Sequence, residues 1–244
     1  PCGSATGKTI AEAWKKAYEA DKTSIFGGIV AANREIDLET AEMLKPIFLE
    51  IVMAPSFAPD ALELLCTKKN LRVLKVDMSK DNTVRKQYVS MNGGMLVQDR
   101  DINTKPVAAD QCVTEAKPTA GQLADLEFAW KIVKHVKSNA IVVAKNGMTY
   151  GVGAGQMNRI GSAEIALKQA QKTLKEEGKD IMTEGLVLAS DGFFPFNDCV
   201  AIAAEYGIKA IVQPGGSIRD EDSIKLANEK GITMLFTGER HFKH

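Results

Sequence analysis

Histidine, paired cysteines and net charge are what this 244-residue chain has little of. It contains three histidines, His135, His241 and His244, so acid–base chemistry near neutral pH has few candidates. Its four cysteines are scattered, with no CxxC pair. That spacing argues against a zinc site or a disulfide framework and favours a reducing, cytoplasmic location. We therefore expect no metal site.

The chain also lacks a charge excess and a long apolar run. Its 31 basic residues balance 31 acidic ones, so no overall field attracts nucleic acid or an anionic membrane. No apolar run approaches the roughly 18 residues that a membrane helix needs, and no signal peptide is visible. We expect neither nucleic acid nor a membrane as a partner. The 45% hydrophobic content is ordinary for one large or two small globular domains.

Two glycine-rich segments precede helical patterns, but neither is a standard nucleotide motif. Residues 151–155 lead into a helix that contains Arg159, and residues 214–217, the glycine loop, lead to Arg219. Bare backbone N–H groups at a helix N-terminus can bind phosphate. Structural turns explain such glycines equally well. The missing GxGxxG after a strand weighs against one alternative function, a nucleotide-dependent oxidoreductase.

The most distinctive segment is residues 191–197, the aromatic loop, which directly follows the apolar run 185–189. It holds Phe193, Phe194 and Phe196, with Pro195 to stiffen the backbone and Asp198 just beyond. Such rings offer a stacking surface for a flat ligand, and a carboxylate can accept hydrogen bonds from amide or amino groups. A hydrophobic plug closing the end of a sheet is the competing interpretation.

The last third of the chain has the clearest pattern of secondary structure. Alternating apolar runs and helical periodicity predict a βαβαβ unit, with strands at 185–190, 209–213 and 232–236 and helices at 197–206 and 219–230. Right-handed crossovers make such strands parallel, so both strand-to-helix loops share one sheet edge. Since ligands bind at that edge in open α/β sheets, the aromatic loop and the glycine loop should line one crevice.

The rest of the chain is predicted as α/β in two subdomains. The first subdomain spans 1–98, a polar connector spans 99–118, and the second subdomain spans 119–244. The elements predicted before the βαβαβ unit are helices from 10, 38, 59, 119 and 159, strands at 47–54, 71–76 and 94–98, and a hairpin at 139–152.

Three further polar residues stand out against their surroundings. Glu50 interrupts an apolar strand, where a buried carboxylate needs a partner; edge-strand exposure is the alternative. Asn139, placed at the end of the long helix, either caps that helix or binds a substrate. Arg240 lies in a basic terminal segment that ends at His244 and fits a packed, phosphate-binding tail.

Several of these segments, in order along the whole chain, resemble the transformylase domain of the bifunctional purine-biosynthesis enzymes. That family combines aminoimidazole carboxamide ribonucleotide (AICAR) formyltransferase with inosine monophosphate (IMP) cyclohydrolase. The matching segments are Pro1–Gly3, Phe26–Gly28, Glu50–Pro55, Lys137–Ala140, Gly153–Gln156, Asp191–Phe196 and Arg240–Phe242. The resemblance implies a cytidine-deaminase-like layered α/β architecture without zinc, and formyl transfer from 10-formyltetrahydrofolate to the 5-amino group of AICAR.

The resemblance also implies roles for individual residues. Those expected to contact the nucleotide are Phe26, Gly27, Glu50, Asn139, Arg159, Phe193 and Arg240, and Asn139 is expected to support catalysis. Those expected to contact the folate are Ile160, Phe196, Asp198, Gly215 and Gly216. Family members are homodimers, so the resemblance implies a homodimer here.

In the family, the roles of catalytic base and oxyanion donor look to belong to an adjacent Lys-His pair, in a segment that ends in Pro-Cys-Gly. This chain begins at that proline, and the cyclohydrolase domain is absent. We therefore expect an N-terminally truncated transformylase domain with weak or no activity, because losing a base or an oxyanion donor costs roughly 100-fold or more. The alternative is a non-catalytic fragment that binds nucleotide and folate or serves in dimerisation.

Overall fold

The computed structural model describes residues 1–78, 85–103 and 105–243, so His244 lies outside the described residues. Its strands are β1 Gly28–Ala31, β2 Leu49–Ala54, β3 Arg72–Lys75, β4 Lys86–Met91, β5 Gly94–Asp99, β6 Ile141–Lys145, β7 Met148–Gly153, β8 Val187–Ser190, β9 Ala210–Gln213 and β10 Thr233–Phe236. Its α-helices are α1 Ile10–Ala20, α2 Leu38–Leu44, α3 Pro59–Cys66, α4 Ala120–Val133, α5 Arg159–Glu176, α6 Ile181–Glu184, α7 Asp198–Glu205 and α8 Asp220–Glu229. The α/β class is confirmed.

The central element is a five-stranded sheet in the order β10-β9-β8-β6-β7. Strands β8, β9 and β10 are parallel, while β6 runs antiparallel to both β7 and β8. The predicted βαβαβ unit is confirmed with boundaries that move by at most two residues. The carboxyl ends of β8 and β9 therefore lie at one edge and carry the aromatic loop and the glycine loop.

Helices cover both faces of this sheet, which explains its continuous apolar strands. In β6, Ile141 and Val143 point into one core with α5, α7 and α8, whereas Val142 and Ala144 point into the opposite core with α4. Alternation of side chains along a strand produces this division. The result is a rigid sheet that fixes where its edge loops begin.

A separate parallel sheet, β1-β2-β3, packs with α2 and α3 around its own apolar core. Helix α1 contributes to the core of the three-stranded sheet through Trp14 and to one core of the five-stranded sheet through Ala20. Just before α1, Ala5 forms a β-bridge to Met148. The predicted division at residues 98 and 119 stays a prediction.

Two local predictions about chain segments were wrong. Helix α4 ends at Val133 rather than near Asn139, so Asn139 caps no helix. Strand β4 was not predicted; it pairs with β5 as an antiparallel hairpin around Asn92-Gly93. None of the helices in the described ranges is long and apolar enough to cross a membrane.

Candidate functional site

The aromatic loop and the glycine loop form an open cleft of about 460 Å³, which we call the loop cleft. Its lining residues are Phe193, Pro195, Phe196, Gly216, Ser217, Ile218 and Arg219. The guanidinium carbon of Arg219 lies 5.1 Å from the centre of the Phe196 ring, within the range of a cation–π contact. The predicted shared crevice is therefore confirmed.

A second cleft of about 340 Å³, the arginine cleft, adjoins the first. Its lining residues are Asn139, Met157, Asn158, Arg159, Phe193, Pro195 and Phe242. Phe193 and Pro195 line both clefts, so the aromatic loop is their common wall. Two ligands held there would lie side by side across one ring.

The buried residue Gln213 holds the two loops of the loop cleft together. Its Oε1 accepts hydrogen bonds from the backbone N–H of Phe194 and from that of Gly215, both at 3.2 Å. Phe194 itself is fully buried, so the plug interpretation applies to this ring, whereas Phe193 and Phe196 face the clefts. Sequence reasoning missed Gln213; a polar residue that ends an apolar strand was its signal.

Arg159 opens α5 and is 7% exposed. Its Nη1 donates to Ser190 Oγ at 2.8 Å and to Asp191 Oδ1 at 2.5 Å, and its Nη2 donates to Asn139 Oδ1 at 2.8 Å. Asn139 in turn donates from Nδ2 to the carbonyl of Gln156 at 2.9 Å. The arginine cleft thus has a guanidinium that is fixed by its neighbours rather than mobile.

The terminal tail packs against this region through His241, which is 3% exposed. The backbone N–H of His241 donates to the carbonyl of Asp191 at 2.9 Å, and its ring lies 4.5 Å from that of Trp130. This anchoring brings Phe242 into the arginine cleft. Arg240 is exposed, with its guanidinium 5.3 Å from the Phe242 ring, and it lines neither cleft.

Neither glycine segment is an open phosphate cradle. In the glycine loop, the N–H groups of Gly216 and Ser217 already donate to Asp220 Oδ2, at 2.6 and 3.1 Å. A carboxylate from the following helix therefore occupies the position that an anion would take. Gly151 and Gly153 lie within β7, where an added Cβ would stand 1.9 Å from a carbonyl oxygen of α5. These two glycines permit close packing of strand and helix.

The three predicted nucleotide contacts in the first part of the chain belong to the three-stranded sheet. The Phe26 ring is 76% exposed and lies 5.1 Å from the ring of Phe48, and the Gly27 N–H donates to the Phe48 carbonyl at 2.9 Å. Glu50 lies in β2, the central strand of its sheet, so the edge-strand alternative does not apply; its side chain is 47% exposed and forms an ion pair with Arg72 at 2.6 Å. These residues line neither cleft.

Three predicted folate contacts do not line the loop cleft. Ile160 packs against the sheet core, and Asp198 Oδ1 accepts from the N–H of Cys199 at 2.8 Å. Gly215 has a φ of +71°, and a Cβ there would lie 2.5 Å from the Phe236 ring. This position therefore requires glycine both for its backbone conformation and for space. Of the predicted set, Phe196 and Gly216 line the loop cleft.

The site offers little covalent or metal chemistry within the described residues. No group of three or more His, Cys, Asp or Glu side chains is placed there to hold a metal ion. Burial raises the pKa of the Cys199 thiol far above its ordinary value of 9.0, so this residue stays a neutral thiol. The clefts are suited to binding and orienting ligands.

Comparisons with known proteins agree with the resemblance. A family model described as "AICARFT/IMPCHase bienzyme" matches residues 1–169. The chain is 60% identical over 244 residues to the bifunctional purine biosynthesis protein PurH of Anoxybacillus flavithermus, and 57% identical to that of Bacillus subtilis. Each match covers the whole chain and 46% of the relative, so the chain spans about half the length of these relatives.

A solved structure of a mutant of NE0047 in complex with 8-azaguanine aligns with 46% of this chain and 75% of its own. Identity is 16% and the TM-score is 0.34, a value too low to support a statement about arrangement or ligand. The deaminase-like layering stays an expectation. The sequence relationship, by contrast, extends over most of the chain: this protein belongs to the AICARFT/IMPCHase bienzyme family.

Proposed function

We propose that this chain forms an AICAR formyltransferase site and acts in purine biosynthesis. In this proposal AICAR occupies the arginine cleft and 10-formyltetrahydrofolate occupies the loop cleft. No metal is required for the transfer. Family membership and the names of the relatives support the assignment.

The observation that carries the proposal is the wall shared by the two clefts. Formyl transfer requires the amine of one ligand to come within about 3–3.5 Å of the formyl carbon of the other. Phe193 and Pro195 line both clefts, so ligands on either side would meet at the edge of this wall. A site for a single ligand would not need a second cleft there.

The residues of each cleft suit the proposed ligand. A pterin is flat and apolar on its faces, and Phe196 is 49% exposed within the loop cleft, so its ring can stack on such a ligand. The arginine cleft provides a guanidinium, the group that binds phosphate best. Asn139 supports catalysis by holding that guanidinium through its Oδ1.

The AICAR amine is a poor nucleophile because the imidazole and its carboxamide withdraw its lone pair. The reaction therefore depends on orientation, on a base for the amine proton and on a donor for the developing oxyanion. The fixed wall and the immobilised Arg159 contribute orientation. Phe26, Gly27, Glu50 and Arg240 remain proposed nucleotide contacts, and Ile160, Asp198 and Gly215 remain proposed folate contacts.

Calorimetry tests the proposal directly. The chain is titrated with AICAR, with tetrahydrofolate, and with each in the presence of the other. We expect both to bind together, since the clefts are separate. Phe193→Ala should weaken both ligands by roughly tenfold, the effect of losing about 1.4 kcal/mol of ring contact. Phe196→Ala should weaken tetrahydrofolate alone. Failure of both ligands to bind would reject the proposal.

A turnover assay then separates an active transferase from the alternative, a binding or dimerisation fragment. Formamido nucleotide is measured after mixing the chain with AICAR and 10-formyltetrahydrofolate. Product formation that depends on Phe193 supports the transferase. Binding of both ligands without product supports the alternative.

We also propose that the chain is cytoplasmic and forms a homodimer. All four cysteines are free thiols, consistent with a reducing location. Sedimentation velocity at micromolar concentration should show a species of twice the chain mass, and a purely monomeric profile would contradict the dimer.

A further inference from the structure

Asp191 is a buried carboxylate at the end of β8 that no predicted role accounts for. Its side chain is 0% exposed, and a buried charge is costly unless it is paired and hydrogen-bonded. Its Oδ1 accepts from Arg159 Nη1 at 2.5 Å and from the Ala140 N–H at 3.1 Å, and its Oδ2 accepts from Ser138 Oγ at 2.5 Å. Each carboxylate oxygen is therefore used.

The backbone of Asp191 extends the same arrangement. Its N–H donates to the Ala140 carbonyl at 3.2 Å, and its carbonyl accepts from the His241 N–H at 2.9 Å. Ser138 also accepts from the Lys243 N–H at 2.9 Å. One residue thus joins the start of α5, the segment before β6 and the terminal tail. Those three segments supply Arg159, Asn139 and Phe242 to the arginine cleft.

The same contacts determine which donors of Arg159 a ligand can use. Ser190 and Asp191 take both N–H groups of Nη1, and Asn139 takes one of Nη2. Within the described residues, this leaves the second Nη2 N–H and the Nε N–H for a ligand. Two donors in a fixed plane can bind two acceptor atoms of a ligand at once.

Gly192 completes this arrangement by its size. An added Cβ would stand 2.5 Å from Arg159 Nη2 and 2.7 Å from the ring of Phe242. Both atoms are the far ends of side chains, so an alanine there would push against the guanidinium and the ring rather than against backbone atoms.

We infer that Asp191 is a positioning residue that fixes the orientation of Arg159 toward the nucleotide substrate in the arginine cleft, with Gly192 keeping the space that this orientation needs. The inference rests on the proposed function. It predicts that a change at Asp191 affects the arginine cleft and leaves the loop cleft intact, because none of the hydrogen-bond partners of its side chain lines the loop cleft.

The test is calorimetry on Asp191→Asn with AICAR and, separately, with tetrahydrofolate. We expect AICAR binding to weaken by roughly 10- to 100-fold, the scale of a misplaced orienting group, while tetrahydrofolate binding stays within twofold. Asp125→Asn is the matched control, because that carboxylate binds the Gly147 N–H in the turn of the β6–β7 hairpin. Equal loss for both ligands, or no loss for AICAR, would overturn the inference.

A double-mutant cycle shows whether Asp191 acts through Arg159. Adding Asp191→Asn to Arg159→Met should weaken AICAR no further than Arg159→Met alone, whereas additive losses would contradict the inference. If Asp191→Asn fails to fold, Gly192→Ala is the second test of the inference. We expect this variant to bind AICAR at least about fivefold more weakly, because the displaced guanidinium of Arg159 loses a bidentate contact. Unchanged AICAR binding by Gly192→Ala would reject the inference. A wild-type chain that binds no AICAR would instead reject the proposed function.

Discussion

Three phenylalanines within four residues serve two purposes. Phe194 is 0% exposed and packs in the sheet core, while Phe196 is 49% exposed in the loop cleft. Phe193, between them in exposure, forms the wall of both clefts. The turn that separates them is held by the bond from the Phe194 N–H to Gln213. A buried ring therefore anchors two rings that remain available to ligands.

This division predicts opposite outcomes for neighbouring substitutions. Phe194→Ala should lower the free energy of unfolding by about 3–5 kcal/mol, because it leaves a cavity in the core. Phe196→Ala should change it by less than about 1 kcal/mol, because about half of this residue is exposed and it lies outside the core. Urea denaturation followed by circular dichroism measures both. Similar losses for the two variants would contradict the assignment of Phe194 to the core.

Asp101 is a second residue whose surroundings predict a measurable effect, here on the pH dependence of stability. The pKa of its carboxyl lies below the ordinary value of 3.8. Burial acts to raise this pKa, but the hydrogen bond to His241, the charge of His241 and the charge of Lys134 lower it by more. The Lys134 Nζ lies 3.5 Å from Asp101 Oδ1. The ionised form of Asp101 thus stabilises the packed tail.

A lowered pKa gives stabilisation that is complete above about pH 3.8 and is lost as the pH falls through the pKa of the folded state. The wild-type chain should therefore lose free energy of unfolding as the pH falls below about 3.8. Asp101→Asn should lose less over that interval, having no carboxylate to protonate. The exposed Asp110→Asn serves as the control. Equal pH dependence in all three proteins would show that Asp101 contributes nothing.

At the scale of elements, the contact between β7 and α5 depends on glycine. A Cβ at Gly153 would stand 1.9 Å from the Ser162 carbonyl oxygen, and one at Gly151 would stand 1.9 Å from that of Ala166. Both obstacles are backbone atoms of a long helix and cannot rotate away. The strand and helix pack closely only because these side chains are absent.

Gly153→Ala should therefore destabilise the fold by about 1–3 kcal/mol or more through overpacking. Gly121→Ala is the matched control, since Gly121 is exposed within α4 and an added Cβ would meet only Thr119 Oγ1 at 4.0 Å. That change should stabilise the chain by about 0.4–1 kcal/mol, by restricting the unfolded state. Thermal unfolding measures both shifts. A neutral Gly153→Ala would contradict the close packing.

Some elements were predictable from local patterns and others were not. The strands of the βαβαβ unit were, because short apolar runs alternate with helical periodicity and glycines end both helices. Strand β4 was missed; within the described part of the chain it pairs only with β5, and five of its six residues are exposed. Short helix α6 was missed as well, since four residues carry no periodicity. Exposure alone does not explain why β4 was missed, since β5 is exposed along its whole length and was predicted at 94–98.

At the scale of the whole molecule, the chain has more than one core. Among the residues that the structure describes, the two cores on the faces of the five-stranded sheet share no buried residue with the core around β1, β2 and β3. Helix α1 contacts both regions and places the buried Trp14 in the smaller core. Separate cores can differ in stability, because regions of a protein open with different free energies.

Trp14→Ala should accordingly weaken one region selectively. Loss of a buried tryptophan costs about 3–5 kcal/mol locally, so amide hydrogens of β2 should exchange faster. Those of β9, buried between β8 and β10, should keep their protection. Native-state hydrogen exchange measured by mass spectrometry resolves the two regions. Uniform acceleration across both sheets would show a single cooperative unit.

The sequence by itself determined the α/β class, the parallel unit and the shared edge of its two loops, because strand period and crossover handedness constrain these locally. It also singled out Phe193, Phe196, Arg159 and Asn139 as candidates. Only the tertiary structure decided that Asp220 fills the glycine loop, that Asp191 holds Arg159 and that Glu50 pairs with Arg72. The last two contacts join charged groups from segments that are distant in the sequence, and the first depends on how the glycine loop folds back on the helix that follows it.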